Sequence, residues 1–426
     1  MLTINVLILT SFMFVIGVPV AVSLGLSSFL VLLFFQPVPL TIVPMMIFAG
    51  VERFILIAIP LFILTGTLMC SSEMAKRLVN LCNALLGWSK GGLGAVNVFA
   101  SLIFGGISGS SVADTATFGK LLVPMMVSEG YDLDYAVGIT FTSSALSTII
   151  PPSILMVLLG VVAELSIAKL LVGGIIPGIL LAIGMLGINY IISTKRQYGF
   201  SQPFRLRAIP KVIKESLGPL GAPIVILGSI LSGLATPTEA AAIAVLYTVI
   251  VNAISYKNFT LKKFYKDVLE SAKLSASIVL IIGSATLFAW IISYEKVPEL
   301  IASYILSLTH NTAIILLLIN IFLLFIGMFV DAGAAVIMLV PILFPLINSL
   351  GINPIHFGVI MILNLSIGFI TPPFGVCLYT ICSITKISVV RAVKASVPFL
   401  SIMIIILMML TYIPSLITYL PNLFFK

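Results

Sequence analysis

Charge is what this sequence has least of. Only 8% of its 426 residues are Asp, Glu, Lys or Arg, while 60% are hydrophobic; soluble globular domains carry roughly 25% charged residues. Mean hydropathy is +1.26, so water is not the main solvent of this chain. Histidine is scarcer still, with His310 and His356 alone, and the four cysteines Cys70, Cys82, Cys377 and Cys382 form no CxxC pair. That composition excludes a zinc or redox motif and a disulfide framework, and leaves packed thiols. No Lys or Arg precedes Arg53. The charged start of a signal peptide is missing, and the first apolar segment is expected to stay in the mature chain.

The charge that is present is clustered. The formal net charge is +8, and 11 of the 22 Lys and Arg residues fall in two polar stretches, 194–218 and 255–273. Basic residues beside apolar spans mark cytoplasmic loops. They do not form an aromatic-interleaved face, so the expected surrounding is a lipid bilayer and no nucleic acid.

The apolar blocks run over about 4–35, 54–70, 91–128, 135–163, 170–193, 219–254, 274–294, 311–349, 355–385 and 395–425. A simple crossing needs only about 20 residues, so several blocks must break or fold back. Gly, Pro and small polar residues mark the expected breaks: Gly17–Pro19, Gly105–Ser111, Ile149–Pro152, Thr236–Pro237, Gly327–Gly333 and Thr371–Pro373.

The sequence repeats itself at an offset of 221. Pro124, Pro151, Pro152 and Pro177 match Pro345, Pro372, Pro373 and Pro398, and Gly106 and Gly130 match Gly327 and Gly351. Charge placement then sets the topology. With both basic stretches cytoplasmic, block 219–254 crosses as two short helices, hairpin 91–128 opens inward and hairpin 311–349 opens outward. Residues 135–163 and 355–385 become helices broken at their proline pairs. The fold class expected is an all-α polytopic membrane protein with an inverted repeat, two re-entrant helical hairpins and two Pro-broken helices. Its parts are scaffold helices and a cytoplasmic surface helix at 1–90, a first transport unit at 91–193, basic loops and scaffold helices at 194–310, and a second transport unit with the last helix at 311–426.

Chemistry collects at the hairpin tips. The first reads GGISGSSVADTA from Gly105 to Ala116, and the second GMFVDAGAA from Gly327 to Ala335. Irregular backbone at membrane depth requires protein or a water-filled cavity around it. Such tips offer carbonyls and hydroxyls to a cation, and helix N-termini to an anion; close small-residue packing is the bland alternative. Substrate is expected at Ser108, Gly109, Ser110, Asp114, Ser147 and Asn364. Cations are expected at Ser108, Ser110, Ser111, Thr148, Pro151, Gly327, Asp331, Gly333, Thr371 and Pro372, in two sites where each tip faces a proline break. Asp331 stands where the first repeat has Ser110, and Asp114 where the second has Ala335. Either carboxylate could instead cap a helix start. Glu239, in TPTEAAA, is open to the same two readings, capping or coupling and gating.

Gly106–Gly109 also spells the GxSG of an intramembrane serine hydrolase with Ser108 as nucleophile, a weak four-residue signal with only two histidines available as base. A passive channel would need a ring of filter residues, which the sequence does not display.

The segments AIPLFILTG (58–66), GGLGAVNVFASLIFGGISGSSVADTA (91–116), IIPPSILMVLLGVVA (149–163), TPTEAAAIAVLY (236–247) and VDAG (330–333) resemble the large membrane subunit of TRAP transporters, the tripartite ATP-independent periplasmic transporters. The resemblance covers nearly the whole chain. It implies an elevator-type, sodium-coupled importer of an organic acid, C4-dicarboxylate or sialic acid, with an overall leaning to sialic acid. It also implies two or more sodium ions, a small four-span membrane subunit and a periplasmic substrate-binding protein. By that resemblance the functional tip residues are Ser108, Ser110 and Asp114, then Asp331, with Glu239 as the acid of TPTE. The implied location is the bacterial inner membrane; the charge-based topology puts the N-terminus and the connections 37–53 and 295–310 on the periplasmic side, where Glu295, Lys296 and Glu299 are expected to form part of a polar docking rim for the binding protein. A self-sufficient sodium-carboxylate symporter of similar architecture is the competing reading.

Overall fold

Glycine and proline cut the apolar runs into helices, and the cuts govern everything that follows. A computed structural model of the chain describes residues 2–35, 38–70, 73–199, 209–255, 260–297, 300, 303, 309, 311–373 and 375–425, and these are all-helical. Helices α1 (Leu2–Val15) and α2 (Val20–Phe35) part at Gly17, whose φ of +82° is the left-handed conformation that glycine adopts without steric cost. Helix α3 (Ile42–Val51) meets α4 (Ala58–Cys70) through a 3-10 turn, Phe54–Ile57, at a bend of 57°. Next comes α5 (Met74–Leu86), which buries Met74, Leu78, Val79 and Cys82 and turns Lys76 and Asn80 outward. That is the pattern of an amphipathic helix with one face packed against the rest of the chain.

The first hairpin is α6 (Gly92–Ser108) and α7 (Ser111–Ser128). It is followed by α8 (Leu133–Ser143), a 3-10 turn Ser144–Thr148, the prolines, and α9 (Ile154–Val162). Helices α10 (Ile167–Gly173), α11 (Ile175–Arg196), α12 (Ile209–Leu231), α13 (Pro237–Ile250) and α14 (Leu261–Tyr294) lead to the second hairpin, α15 (Thr312–Phe329) and α16 (Ala332–Ser349). The chain ends with α17 (Pro354–Phe369), α18 (Val376–Thr385), α19 (Val389–Tyr412) and α20 (Ser415–Phe424). The second hairpin's arms lie 221 residues after 91–108 and 111–128, so its element bounds keep the offset of the proline matches. Both proline pairs, Pro151–Pro152 and Pro372–Pro373, are joined by cis peptide bonds.

Among the described residues seven helices are long and apolar enough to cross a membrane, or eight if the bent 42–70 pair counts as one span. In lipid there is no hydrophobic drive to bring such helices together, so close packing and buried hydrogen bonds must hold them. The interior is built accordingly. Helix α14 packs against α2, α3 and α4, and α13 against α4. The second hairpin's arm α16 packs on α9, and the first hairpin's arm α7 packs on α18, so each hairpin leans on the short helix beyond the other half's break.

Four expectations are corrected. Stretch 255–273 is mostly not a loop: α14 starts at Leu261, behind a Thr260 cap, and its 34 residues reach roughly 50 Å, beyond the ~30 Å hydrocarbon core. Its lysines therefore ride on a helix that projects past the apolar zone. Stretch 194–218 likewise becomes helical from Ile209, with Arg205 and Arg207 outside the described residues. The 37–53 connection holds α3, packed on α14, because IVPMMIFAGV is apolar on every side. The last block, 395–425, is two helices, since Pro414 cannot continue the hydrogen-bond ladder of α19.

Candidate transport site

The first tip is tighter than its sequence suggests. Residues Gly105 to Ser108 stay helical, and only Gly109 and Ser110 leave the helical path. Gly109 adopts φ +59° and donates its N–H to Gly105 O at 2.9 Å, closing α6. Ser110 opens α7 as its N-cap, accepting from Ala113 N at 3.4 Å. The glycines serve close approach. A Cβ on Gly105 would stand 2.6 Å from Ser147 Cα, one on Gly106 2.8 Å from Pro151 O, and one on Gly109 3.1 Å from Pro152 O. The end of α6 thus lies backbone to backbone against the first proline break.

Asp114 occupies the junction. One carboxylate oxygen accepts the Ser108 hydroxyl from the tip, and the other accepts the Ser147 hydroxyl from the break. The residue is fully buried. Beside it the Ser111 hydroxyl is buried and has no hydrogen-bond partner. A polar seam continues down the same interface: Thr115 Oγ1 donates to Ser144 Oγ at 2.8 Å, Ser101 Oγ lies 2.9 Å from Ser143 Oγ, and Asn97 Nδ2 donates to Thr140 Oγ1 at 2.6 Å. Sequence reasoning named only Ser108, Asp114 and Ser147 from this seam. The spacing of Asn97 and Ser101 on α6, and of Thr140, Ser144 and Ser147 beyond it, at intervals of three or four residues, was the signal that could have found the rest.

The second tip repeats the backbone plan with different chemistry. Val330 and Asp331 make the turn, and Asp331 caps α16, accepting from Gly333 N at 2.9 Å and Ala334 N at 3.3 Å. Asp331 is exposed in the isolated chain and has no described bond to a break residue. Gly327 lies against the helix before the second break: its Cβ would stand 3.1 Å from Leu365 O and 3.2 Å from Gly368 Cα. Thr371 Oγ1 donates back to Ile367 O at 2.6 Å, just before Pro372. Gly333 borders Leu158 of α9. Asn364 is fully buried; its Nδ2 donates to Asn320 Oδ1 at 2.7 Å, while its own Oδ1 has no partner. Asn320, which sequence reasoning missed, ties this pair to Thr411 Oγ1 at 3.1 Å.

The structure therefore brings Ser108, Gly109, Ser110, Ser111, Asp114, Ser147, Thr148 and Pro151 to one place, and Gly327, Asp331, Gly333, Thr371 and Pro372 to the neighbourhood of another. Glu239 joins neither through a described bond. It forms a capping box, its carboxylate accepting from Thr236 N and Thr236 Oγ1 at 2.8 Å, and it satisfies the start of α13. Glu295 accepts the backbone N–H groups of Leu2 and Thr3 at 2.9 and 2.8 Å and so anchors α1, and Lys296 beside it is exposed; Glu299 lies outside the described residues.

Among the described residues no histidine is bonded to Ser108. His356 is buried with Nε2 2.9 Å from Leu410 O, and Ser108 is held by Asp114; His310 lies outside the described residues. No group of three or more His, Cys, Asp or Glu side chains comes together among the described residues. A cation at either tip would be held by hydroxyls, carbonyls and a single carboxylate, a donor set that suits a hard ion.

The family described as "Tripartite ATP-independent periplasmic transporter, DctM component" matches residues 7–416. The C4-dicarboxylate TRAP transporter large permease DctM of Pseudomonas aeruginosa is 38% identical over 400 residues, covering 94% of each chain. The sialic acid TRAP transporter large permease SiaM of Vibrio cholerae is 36% identical over 408 residues, covering 96% of each. The isethionate TRAP permease DctMQ of Oleidesulfovibrio alaskensis is 36% identical over 403 residues, which are 94% of this chain and 64% of that longer protein. Among solved structures, the Alcanivorax borkumensis YdaH transporter shares the fold, with a TM-score of 0.66 at 14% identity over 87% of each chain. The family match and these relatives span nearly the whole sequence, and the chain belongs to the DctM family, the large membrane permeases of TRAP transporters.

Proposed function

We propose that this permease imports an organic acid together with sodium, carrying substrate and ion at the two hairpin tips. The observation that carries the reading is the convergence of Ser108 and Ser147 on buried Asp114, where a tip and a proline break share one carboxylate. An uncompensated charge at membrane depth is costly, so such a group is retained for an ion or proton path. The relatives' names give sialic acid, C4-dicarboxylates and isethionate; what these have in common is an organic anion, which supports that substrate class for this chain. Sodium would neutralise Asp114 at the first tip and meet the carbonyls around Gly327 and Thr371 with Asp331 at the second. The Ser110 and Ser111 amides at the start of α7 would receive the anionic group.

The repeat is inverted in this proposal, with the N-terminus periplasmic and the chain in the bacterial inner membrane. Helices α1 to α4 and α12 to α14 form the fixed part, enlarged by a small four-span subunit. The hairpins and broken helices slide as an elevator, and a periplasmic binding protein delivers the substrate. The test is uptake of labelled sialic acid and labelled C4-dicarboxylate by proteoliposomes, with and without candidate partners and a sodium gradient. Uptake that requires both partners and inward sodium is the expected result. Uptake that ignores sodium and follows a proton gradient overturns the coupling, and robust uptake by the chain alone makes it a self-sufficient symporter.

A further inference from the structure

One pair of hydroxyls joins the two proline breaks across the molecule. Thr148 Oγ1 lies 2.6 Å from Ser366 Oγ, and both residues are buried, at 3% and 1% exposure. Thr148 follows Ser147, whose hydroxyl is on Asp114. Its own carbonyl accepts the Ser153 hydroxyl at 2.5 Å, which closes the first break. Ser366 sits between Leu365 and Gly368, the two residues that Gly327 of the second tip packs against. A continuous line of contacts therefore runs from Asp114 through Ser147, Thr148, Ser366 and Leu365 to Gly327.

The proton count at its centre is short by one. Thr148 Oγ1 also reaches Ala145 O at 2.7 Å, and Ser366 Oγ reaches Ile362 O at 2.6 Å. Three contacts compete for two hydroxyl protons, since each hydroxyl carries one. If both protons went to the carbonyls, two hydroxyl oxygens would face each other at 2.6 Å with nothing between them. Two arrangements avoid this. Either Thr148 donates across and releases Ala145 O, or Ser366 donates across and releases Ile362 O. A shift of the first break that favours one arrangement is felt at the second, because the donor of the shared hydrogen bond must switch. A link of this kind is a discrete two-state element that both sites can bias.

We infer that Thr148 and Ser366 are positioning residues that couple the two tip sites, so that sodium at one raises the affinity of the other. The inference rests on the two-site sodium reading above, and it makes Thr148 a link between sites instead of a sodium ligand. The test is equilibrium binding of radiolabelled sodium to the full chain in lipid nanodiscs, without substrate or partners. Wild-type protein is expected to bind two ions with a Hill coefficient approaching about 2, the limit for two coupled sites. Thr148→Val and Ser366→Ala should each still bind two ions with a Hill coefficient of about 1, the double variant being no worse than either single one. Thr148→Ser keeps the hydroxyl and should restore cooperativity. Each remaining hydroxyl keeps its own helix carbonyl as acceptor, so the melting temperature should move little. Variants as cooperative as wild type overturn the inference, and so do variants that bind one ion in place of two, which would make the altered residue a ligand. Two ions bound independently by the wild type overturn it while leaving sodium coupling intact; no bound sodium removes both.

Discussion

The two hairpin tips have one backbone and two chemistries. Each turns within two residues, is pressed by glycine against the helix preceding a proline pair, and starts its second arm with a side-chain cap. At the first tip the cap is the hydroxyl of Ser110, which leaves the nearby carboxylate of Asp114 to bridge tip and break. At the second the carboxylate of Asp331 is itself the cap, and Ala335 stands where Asp114 would be. A carboxylate spent on its own helix start holds a local turn, whereas one bonded to a residue 33 positions away reports whether tip and break are together.

The strongest test of that contrast is Asp114→Asn. An amide puts an NH2 donor where one of the two accepting oxygens stood, so it accepts from only one of the hydroxyls, and each buried polar group left unpaired costs about 1–3 kcal/mol. Uptake should fall to background while the protein still inserts, as measured in proteoliposomes and by size-exclusion profile. Full uptake in this variant would reduce Asp114 to a packing residue. Next in size are the glycine contacts, which the two tips share: Gly105→Ala meets Ser147 Cα at 2.6 Å, and Gly368→Ala meets Gly327 C at 2.5 Å. Both should lose about 1–3 kcal/mol by overpacking, read as a drop in melting temperature. A tolerated Gly368→Ala would show the second contact to be looser than the first.

Asp331→Asn separates cap from charge, because Asn caps helices about as well as Asp. Stability should change by less than about 0.5 kcal/mol while uptake is lost. Wild-type uptake would confine Asp331 to its capping role and make the first tip the sole charged site. The smallest effect is expected at Glu239→Gln, which can still accept from Thr236 and so keep the capping box. Uptake near the wild-type rate is the expected outcome, and a loss of coupling with the helix intact would return Glu239 to a gating role.

Much of this architecture could be read from the chain because its punctuation is unusual. Gly and Pro in apolar runs have few uses, and they mark the break between α1 and α2, both hairpin tips and both proline breaks. What they do not reveal is how far each helix continues. Gly105 and Gly106 look like loop residues, yet they are helical, because a neighbouring backbone fills the space where side chains would be. The lysines of 255–273 look like a loop because polar residues follow an apolar block, but most of them ride on the first turns of α14. Pro414 passed unnoticed as a break since the residues on both sides are apolar.

By itself the sequence determined that this protein lives in a membrane, where most of its apolar runs are broken, and which residues are polar enough to matter at depth. Those properties follow from composition and local backbone preference, which act over a few residues. The tertiary structure alone decided that Asp114 is shared and Asp331 is a cap, that Glu239 serves its own helix, and that Asn320 and Ser366 belong to the polar interior. A carboxylate or hydroxyl takes its role from what stands within about 3 Å of it; for Asp114, Asn320 and Ser366 the deciding partners come from distant parts of the chain, while Asp331 and Glu239 keep local ones.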